Sequence, residues 1–234
     1  MAEAPRILLA TTSRWAATAR LADALVGAGC EVEVVCPRGH PVKRTRTVSA
    51  VHRYRVFAPL RSVDLAIRSA QPDLIIPCDD LARAHLAQLH RRAAFAGESA
   101  AGRRALLEDS LGERSSMAVS TGRTALLTLA RELGIRAPAT AVAQTREALR
   151  QWVADQPWPV VLKTDGSFGG GGVRIVHSLD EAERVWQTLG TPPSLGQAIK
   201  RTIVNRDMTD VLPCLRRTRP VVNMQTFVPG HRRA

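Results

Sequence analysis

The chain has 234 residues, of which 45% are hydrophobic, and its 33 basic and 21 acidic side chains leave a formal net charge of +12. This apolar content supports a packed core and argues against a disordered chain, while the longest apolar runs, such as residues 7–10, are far too short for a membrane helix. No stretch near the N-terminus resembles a secretory signal, so we expect a cytoplasmic protein.

The basic charge raises the question of nucleic-acid binding. The arginines are scattered along nearly every predicted element, and aromatic residues make up only 4% of the chain. Few aromatic side chains means few platforms on which bases can stack, so we do not expect a specific nucleic-acid partner. A basic nucleic-acid-associated α/β protein is kept as the least favoured alternative.

The four cysteines are far apart, and neither a Cys-x-x-Cys pair nor a histidine at metal-ligand spacing accompanies them. This pattern predicts structural thiols in a reducing compartment and no metal site within the chain.

The first hundred residues alternate between strand and helix patterns, which is typical of a parallel α/β unit. The predicted strands are residues 6–10, 31–35, 48–57 and 74–77, and the predicted helices are residues 15–27, 63–69 and 81–94. Because ligands gather at the carboxyl ends of parallel strands, the polar residues at these ends are the first candidates for a site.

Thr11, Thr12 and Ser13 follow the first strand and are predicted to cap the next helix. Asp79 and Asp80 follow the fourth strand. We favour capping of the next helix as the role of the two aspartates, because a carboxylate is favourable at a helix N-terminus. A substrate-binding or interdomain role for them is the alternative.

Residues 98–120 are rich in glycine, serine and charge and predict a connection between two domains, residues 1–115 and 116–234. Beyond it the patterns predict an α+β unit. Its helices are residues 124–133, 145–154 and 179–189, with Thr145 and Ser178 as N-caps, and its strands are residues 139–142, 159–164, 173–176 and 221–228. Residues 195–219 are basic and poorly patterned, and we interpret them as an insertion.

The segment 159–176 is the most informative in the chain. Two β-branched runs flank a loop with Gly166, Gly169, Gly170, Gly171 and Gly172, and Lys163 lies near the end of the first run. Bare glycines let main-chain N–H groups approach an anion closely, and a lysine ammonium can reach the same anion. Because a strand rather than a helix follows, the pattern predicts a hairpin lid over phosphates, mobile when empty, and a surface hairpin without ligand is the alternative.

Four segments together, residues 74–80, 122–138, 159–176 and 221–230, resemble the ATP-grasp superfamily in order and spacing. The resemblance implies a Rossmann-like pre-ATP-grasp domain followed by an α+β ATP-grasp domain. It also implies an ATP-dependent ligase that joins a carboxylate to an amine, or a similar nucleophile, through an acyl phosphate.

The resemblance assigns residues to the nucleotide. Lys163 and Arg123 match basic residues that face the phosphates, Gly169, Gly170, Gly171 and Gly172 belong to the loop that covers them, and the main chain of Gln225 and Val228 lies at the adenine. Gln225 stands where the family often has glutamate. We interpret Phe227 as a core residue, with packing against the base as the alternative.

The family's Mg²⁺ ligands lie roughly a hundred residues beyond the segment that contacts adenine, whereas this chain ends at Ala234, and its last acidic residue is Asp210. Since phosphoryl transfer needs protein acids that hold Mg²⁺, we expect an incomplete ATP-grasp domain that binds nucleotide weakly without turnover. We also expect an exposed apolar edge on the strand 221–227. A non-catalytic nucleotide-binding module, or pseudoenzyme, is the main alternative, and a homodimer is included among the expected partners.

Overall fold

The computed structural model describes residues 3–94, 101–113, 117, 119, 122–165, 172–196 and 214–230. The described residues fall into two units: the first contains those up to Met117 together with residues 195–196, and the second contains those of 119–194 and 214–230. In these residues no helix is long and apolar enough to cross a membrane.

The first unit contains a four-stranded parallel sheet with the strand order β3-β2-β1-β4. Its strands are β1 (Arg6–Ala10), β2 (Glu31–Cys36), β3 (Ala50–Arg53) and β4 (Leu74–Pro77). Its helices are α1 (Ala16–Gly27), α2 (Pro59–Ala70), α3 (Asp80–Ala93) and α4 (Ala101–Leu111), and a 3₁₀ turn covers Pro41–Arg44. The α/β architecture with a parallel sheet is therefore confirmed.

Helices cover both faces of this sheet because the central strand β1 is apolar on both sides. Leu8 joins the core that α2, α3 and α4 close, whereas Ile7 and Leu9 join the core that contains Ala19 and Ala22 of α1. The carboxyl ends of the strands are consequently left between the helix layers, where loops after β1, β2 and β4 meet.

The structure corrects our interpretation of residues 98–120 as a connection, because residues 101–111 form the helix α4. Leu107 of this helix is fully buried, and Ser110 Oγ accepts a hydrogen bond of 2.9 Å from the main-chain N–H of Ile75 in β4. The glycine and the charged residues of α4 make its short apolar stripe hard to recognise in the sequence, although this stripe packs against the sheet beside β4.

The second unit is built on an antiparallel sheet with the strand order β5-β8-β6-β7. Its strands are β5 (Thr140–Val142), β6 (Val160–Thr164), β7 (Val173–Val176) and β8 (Val222–Thr226), and its helices are α5 (Arg123–Glu132), α6 (Arg146–Ala154) and α7 (Leu179–Leu189). A core on one face of the sheet contains Leu149 of α6, Leu162 of β6 and Met224 of β8.

Both predicted N-caps of this unit are confirmed. Thr145 Oγ1 accepts a hydrogen bond of 3.1 Å from Ala148 N, and Ser178 Oγ accepts one of 3.3 Å from Glu181 N. The Glu181 carboxylate reaches back to His177 N at 2.8 Å, which closes the start of α7.

Two expectations for the end of the chain are wrong. The strand β8 is not an exposed apolar edge, because β5 pairs on one side of it and β6 on the other. Phe227 is not a core residue, since it follows the end of β8 and is 38% exposed.

Candidate functional site

Alternation along the strands of the second unit separates an apolar face from a polar one. Leu162 and Met224 are partners across β6 and β8 and face the core, so their neighbours Lys163, Asn223 and Gln225 project to the opposite face. On this polar face the Lys163 ammonium donates a hydrogen bond to Gln225 Oε1. The structure thus joins two of the residues that the sequence assigned to a nucleotide.

Asn223 is the residue that sequence reasoning missed. It is 2% exposed, its Oδ1 accepts a hydrogen bond of 2.6 Å from Thr124 Oγ1, and its Nδ2 donates one of 2.9 Å to Asp165 Oδ1. One amide therefore ties the start of α5 to the residue that leaves β6. A signal existed in the sequence, because an asparagine within an apolar strand needs a buried partner.

The predicted hairpin is present up to the edges of the glycine loop. The strands β6 and β7 pair antiparallel with Lys163 opposite Val173, and Thr164 N donates a hydrogen bond of 2.9 Å to Gly172 O. Gly172 is buried at the start of β7. Gly169, Gly170 and Gly171, and with them the predicted lid, lie outside the described residues.

Gln225 and Val228 have different surroundings. Gln225 is paired in register with Thr140 on one side and Val161 on the other. Its main-chain groups therefore belong to the sheet, and its side chain is the part that a ligand on the polar face would contact. Val228 follows the strand and is 60% exposed. For Arg123 the structure describes only the main chain, which begins α5.

In the first unit the Asp79 carboxylate, which follows β4, accepts several hydrogen bonds at the carboxyl ends of the strands. It accepts hydrogen bonds from Thr11 Oγ1 at 2.8 Å, from Thr12 N at 2.6 Å and from Thr12 Oγ1 at 2.9 Å. It also accepts one of 2.8 Å from Ala82 N as the N-cap of α3, which confirms the capping interpretation. Asp80 begins the same helix and is exposed.

Thr11, Thr12 and Ser13 do not cap α1, contrary to our expectation, because the helix begins only at Ala16 and its N-cap position is Trp15. The Trp15 side chain does not cap the helix. Thr11, Thr12 and Ser13 instead donate hydrogen bonds to the Asp79 carboxylate.

Two of the cysteines, Cys36 and Cys78, behave as structural thiols. Burial raises the pKa of Cys36 and of Cys78 to about 11 each, so both are protonated at neutral pH. Within the described segments no group of three or more histidine, cysteine or acidic side chains is placed to hold a metal ion.

Comparison with known proteins gives one match to a curated sequence and many to solved structures. No family model matches the chain. The formate-dependent phosphoribosylglycinamide formyltransferase of Synechococcus sp. (strain CC9311) is 32% identical over 102 residues, which cover 42% of this chain and 26% of that protein.

Solved structures match over nearly the whole chain. The carboxyaminoimidazole ribonucleotide synthase of Aspergillus clavatus, solved with ATP, superimposes with a TM-score of 0.62 at 11% identity, covering 96% of this chain and 47% of that one. The L-amino acid ligase of Bacillus licheniformis superimposes with a TM-score of 0.55 at 12% identity, covering 98% and 46%.

The chain has the ATP-grasp fold. It spans about half the length of the solved ATP-grasp structures it matches, and the part of it aligned to the curated relative covers about a quarter of that protein. The Rossmann-like unit followed by part of an α+β ATP-grasp unit, which the sequence predicted, is confirmed as a fold.

Proposed function

We propose that the second unit is the ATP-binding part of an ATP-grasp ligase that joins a carboxylate to an amine or a similar nucleophile. The observation that carries this proposal is the contact between Lys163 and Gln225 on the polar face of the sheet, beside the root of the glycine hairpin. A cation and an amide placed next to each other offer one group to phosphate and one to a base.

In this proposal each residue acts by position and charge. The Lys163 ammonium meets the phosphates nearest the base, Arg123 faces the phosphate chain from the start of α5, and Gly169, Gly170, Gly171 and Gly172 close over the terminal phosphates. The Gln225 side chain and the main chain around Val228 meet the adenine. Asn223 orients Asp165 at the entrance to the glycine loop, and so acts on the nucleotide indirectly.

The reaction we propose has two transfers. A carboxylate oxygen of the substrate attacks the γ-phosphorus of ATP and ADP leaves, and the amine then attacks the acyl carbon and releases phosphate. Preorganised positive charge stabilises the first transfer. Mg²⁺ accompanies ATP in such chemistry. Among the described residues, no group of three or more histidine, cysteine or acidic side chains is placed to hold it.

ATP titration of the purified chain tests the nucleotide site. We expect Lys163→Ala to weaken ATP binding at least tenfold, which corresponds to about 1.4 kcal/mol. Lys43→Ala is the matched control, because Lys43 is an exposed lysine of the first unit and its loss should leave affinity unchanged. If Lys163→Ala stays within about twofold of the parent chain, the phosphate role of Lys163 is wrong.

The acceptors and the assembly are further parts of the proposal. Small-molecule carboxylates and amines are the expected substrates, and a homodimer is the expected assembly. Sedimentation at several chain concentrations tests the second point, and a single monomeric species at every concentration would exclude it.

A further inference from the structure

One row of side chains crosses the polar face of the sheet in the second unit, next to Lys163. Gln225 of β8 pairs in register with Thr140 of β5 and with Val161 of β6, and Val161 pairs in register with Ile175 of β7. Register partners in an antiparallel sheet project to the same face, so these four side chains lie side by side. The row therefore places the Gln225 amide next to two branched apolar side chains.

Val161 and Ile175 give this part of the polar face an apolar floor. The core on the other face takes Val160, Leu162 and Val176 from the same two strands, so Val161 and Ile175 project away from it. Val161 is 8% exposed and Ile175 is 48% exposed. An apolar surface with a few placed polar groups at its edge is the usual form of a site for a small organic ligand. A purine base, with apolar ring faces and a polar rim, fits a surface of this kind.

The contact with Lys163 fixes which way the Gln225 amide points. A lysine ammonium carries three N–H donors and no acceptor, so it bonds to an amide through the oxygen. Lys163 accordingly donates to Gln225 Oε1, and the Nε2 group with its two N–H donors forms the other corner of the amide. Oε1 keeps a second lone pair, but a further donor placed there would lie against the positive charge of the ammonium.

Lys163 and Gln225 together therefore present donors to a base on this floor. Guanine and hypoxanthine, which are 6-oxopurines, have two neighbouring acceptors, O6 and N7. Adenine has the acceptor N7 next to an amino group that donates. Two donors match both groups of a 6-oxopurine but only one of the two groups of adenine.

We propose that the nucleotide site accepts 6-oxopurine nucleoside triphosphates in addition to ATP, and that Gln225 sets this choice of base. This inference rests on the nucleotide function proposed above for the second unit. A glutamine pairs with adenine by accepting from N6 and donating to N7, and Lys163 disfavours that pairing because it holds Oε1. A glutamate at this position would offer acceptors alone and would favour the amino group of adenine.

Titration of the purified full chain with ATP, and separately with inosine triphosphate (ITP), tests the choice of base. The two nucleotides differ at position 6 and the adjoining N1 and carry the same triphosphate, so the ratio of their dissociation constants is independent of the phosphate contacts. We expect ITP to bind within about threefold of ATP or more tightly. Gln225→Glu should shift the ratio about tenfold or more toward ATP. The new carboxylate repels both triphosphates equally, so this repulsion cancels in the ratio.

Gln187→Glu is the matched control, because it makes the same substitution at an exposed position of α7, the helix that packs on the other face of the sheet. This control should leave the ratio within about twofold of the parent chain. The ratio in the parent chain is a readout that does not depend on the folding of any variant.

Comparable affinities for ITP and ATP in the parent chain, together with the shift in Gln225→Glu, support the proposal. If ATP binds but ITP binds more than about tenfold more weakly, the choice of base is wrong while the nucleotide function stands. The same conclusion follows if Gln225→Glu leaves the ratio unchanged. If neither nucleotide binds to the parent chain, the nucleotide function and the choice of base are both overturned.

Discussion

Replacing Asn223 by alanine should destabilise the second unit well beyond an ordinary substitution. The amide makes two hydrogen bonds, one to the Asp165 carboxylate at 2.9 Å and one from the Thr124 hydroxyl at 2.6 Å. A hydrogen bond to a charged group contributes about 1.5–3 kcal/mol and a neutral one about 0.5–1.5 kcal/mol. Because the Thr124 hydroxyl can rotate to another partner, we expect a total loss of about 2–3 kcal/mol.

The fluorescence of the chain makes this loss measurable. Trp152, Trp158 and Trp186 lie in the second unit, and Trp15 is the one tryptophan of the first. Urea unfolding followed by tryptophan emission should therefore show a lower midpoint with an unchanged slope in Asn223→Ala. For a domain of this size the thermal midpoint should fall by roughly 10 °C or more.

A double-mutant cycle with Thr124→Val separates the two hydrogen bonds. Thr124→Val alone should cost about 1 kcal/mol, and it should cost much less once Asn223 is alanine, because the shared bond is already gone. If Asn223→Ala costs less than about 0.5 kcal/mol, as exposed substitutions do, the bridge does not hold the unit together and the reasoning is refuted.

Three further predictions concern stability and thiol reactivity. Leu162→Ala should cost about 2–5 kcal/mol in urea unfolding because the side chain is fully buried in the core of the second unit, and a loss below about 1 kcal/mol would contradict that packing. Burial lowers the pKa of His85, which contacts Tyr54 OH at 3.0 Å, so its contribution to stability is present above pH 6.5 and is lost as the pH falls below that value. Urea midpoints at pH 7.5 and 5.5 should show this loss, and His85→Gln should reduce it; an unchanged pH dependence would count against the role of His85. Because burial raises the pKa of Cys36 and of Cys78 to about 11, both thiols should react with iodoacetamide at pH 8 roughly a hundredfold more slowly in the folded chain than in urea. Peptide mass spectrometry would measure these rates. Equal rates in the folded chain and in urea would mean that the two thiols are not buried.

Local patterns in the sequence sufficed for much of this protein. Alternating β-branched runs predicted the β6–β7 hairpin, and Thr145 and Ser178 predicted the starts of α6 and α7, because a cap depends on contacts three residues apart. The place of Lys163 beside the glycine loop predicted a phosphate contact, and this stays a prediction. These features need no knowledge of distant segments.

Composition gave a wrong prediction for the helix α4, whose surface combines polar and apolar residues. Gly102, Ser110 and the charged residues of 101–111 suggested a connection, but Leu107 is buried under the helix they form. The apolar stripe of α4 gains its stability from packing, which a local reading does not weigh.

Tertiary structure alone decided the contacts between distant segments. The side chain of Asn223 contacts that of Thr124, which lies 99 residues earlier in the chain. The last strand, β8, pairs between β5 and β6 instead of next to β7, the strand that precedes it in the chain. The Asp79 carboxylate accepts hydrogen bonds from Thr11 and Thr12, which lie 68 and 67 residues earlier in the chain. Sequence periodicity says which face of a strand is apolar, but the pairing of strands decides which polar groups meet on the other face, as Lys163 and Gln225 do.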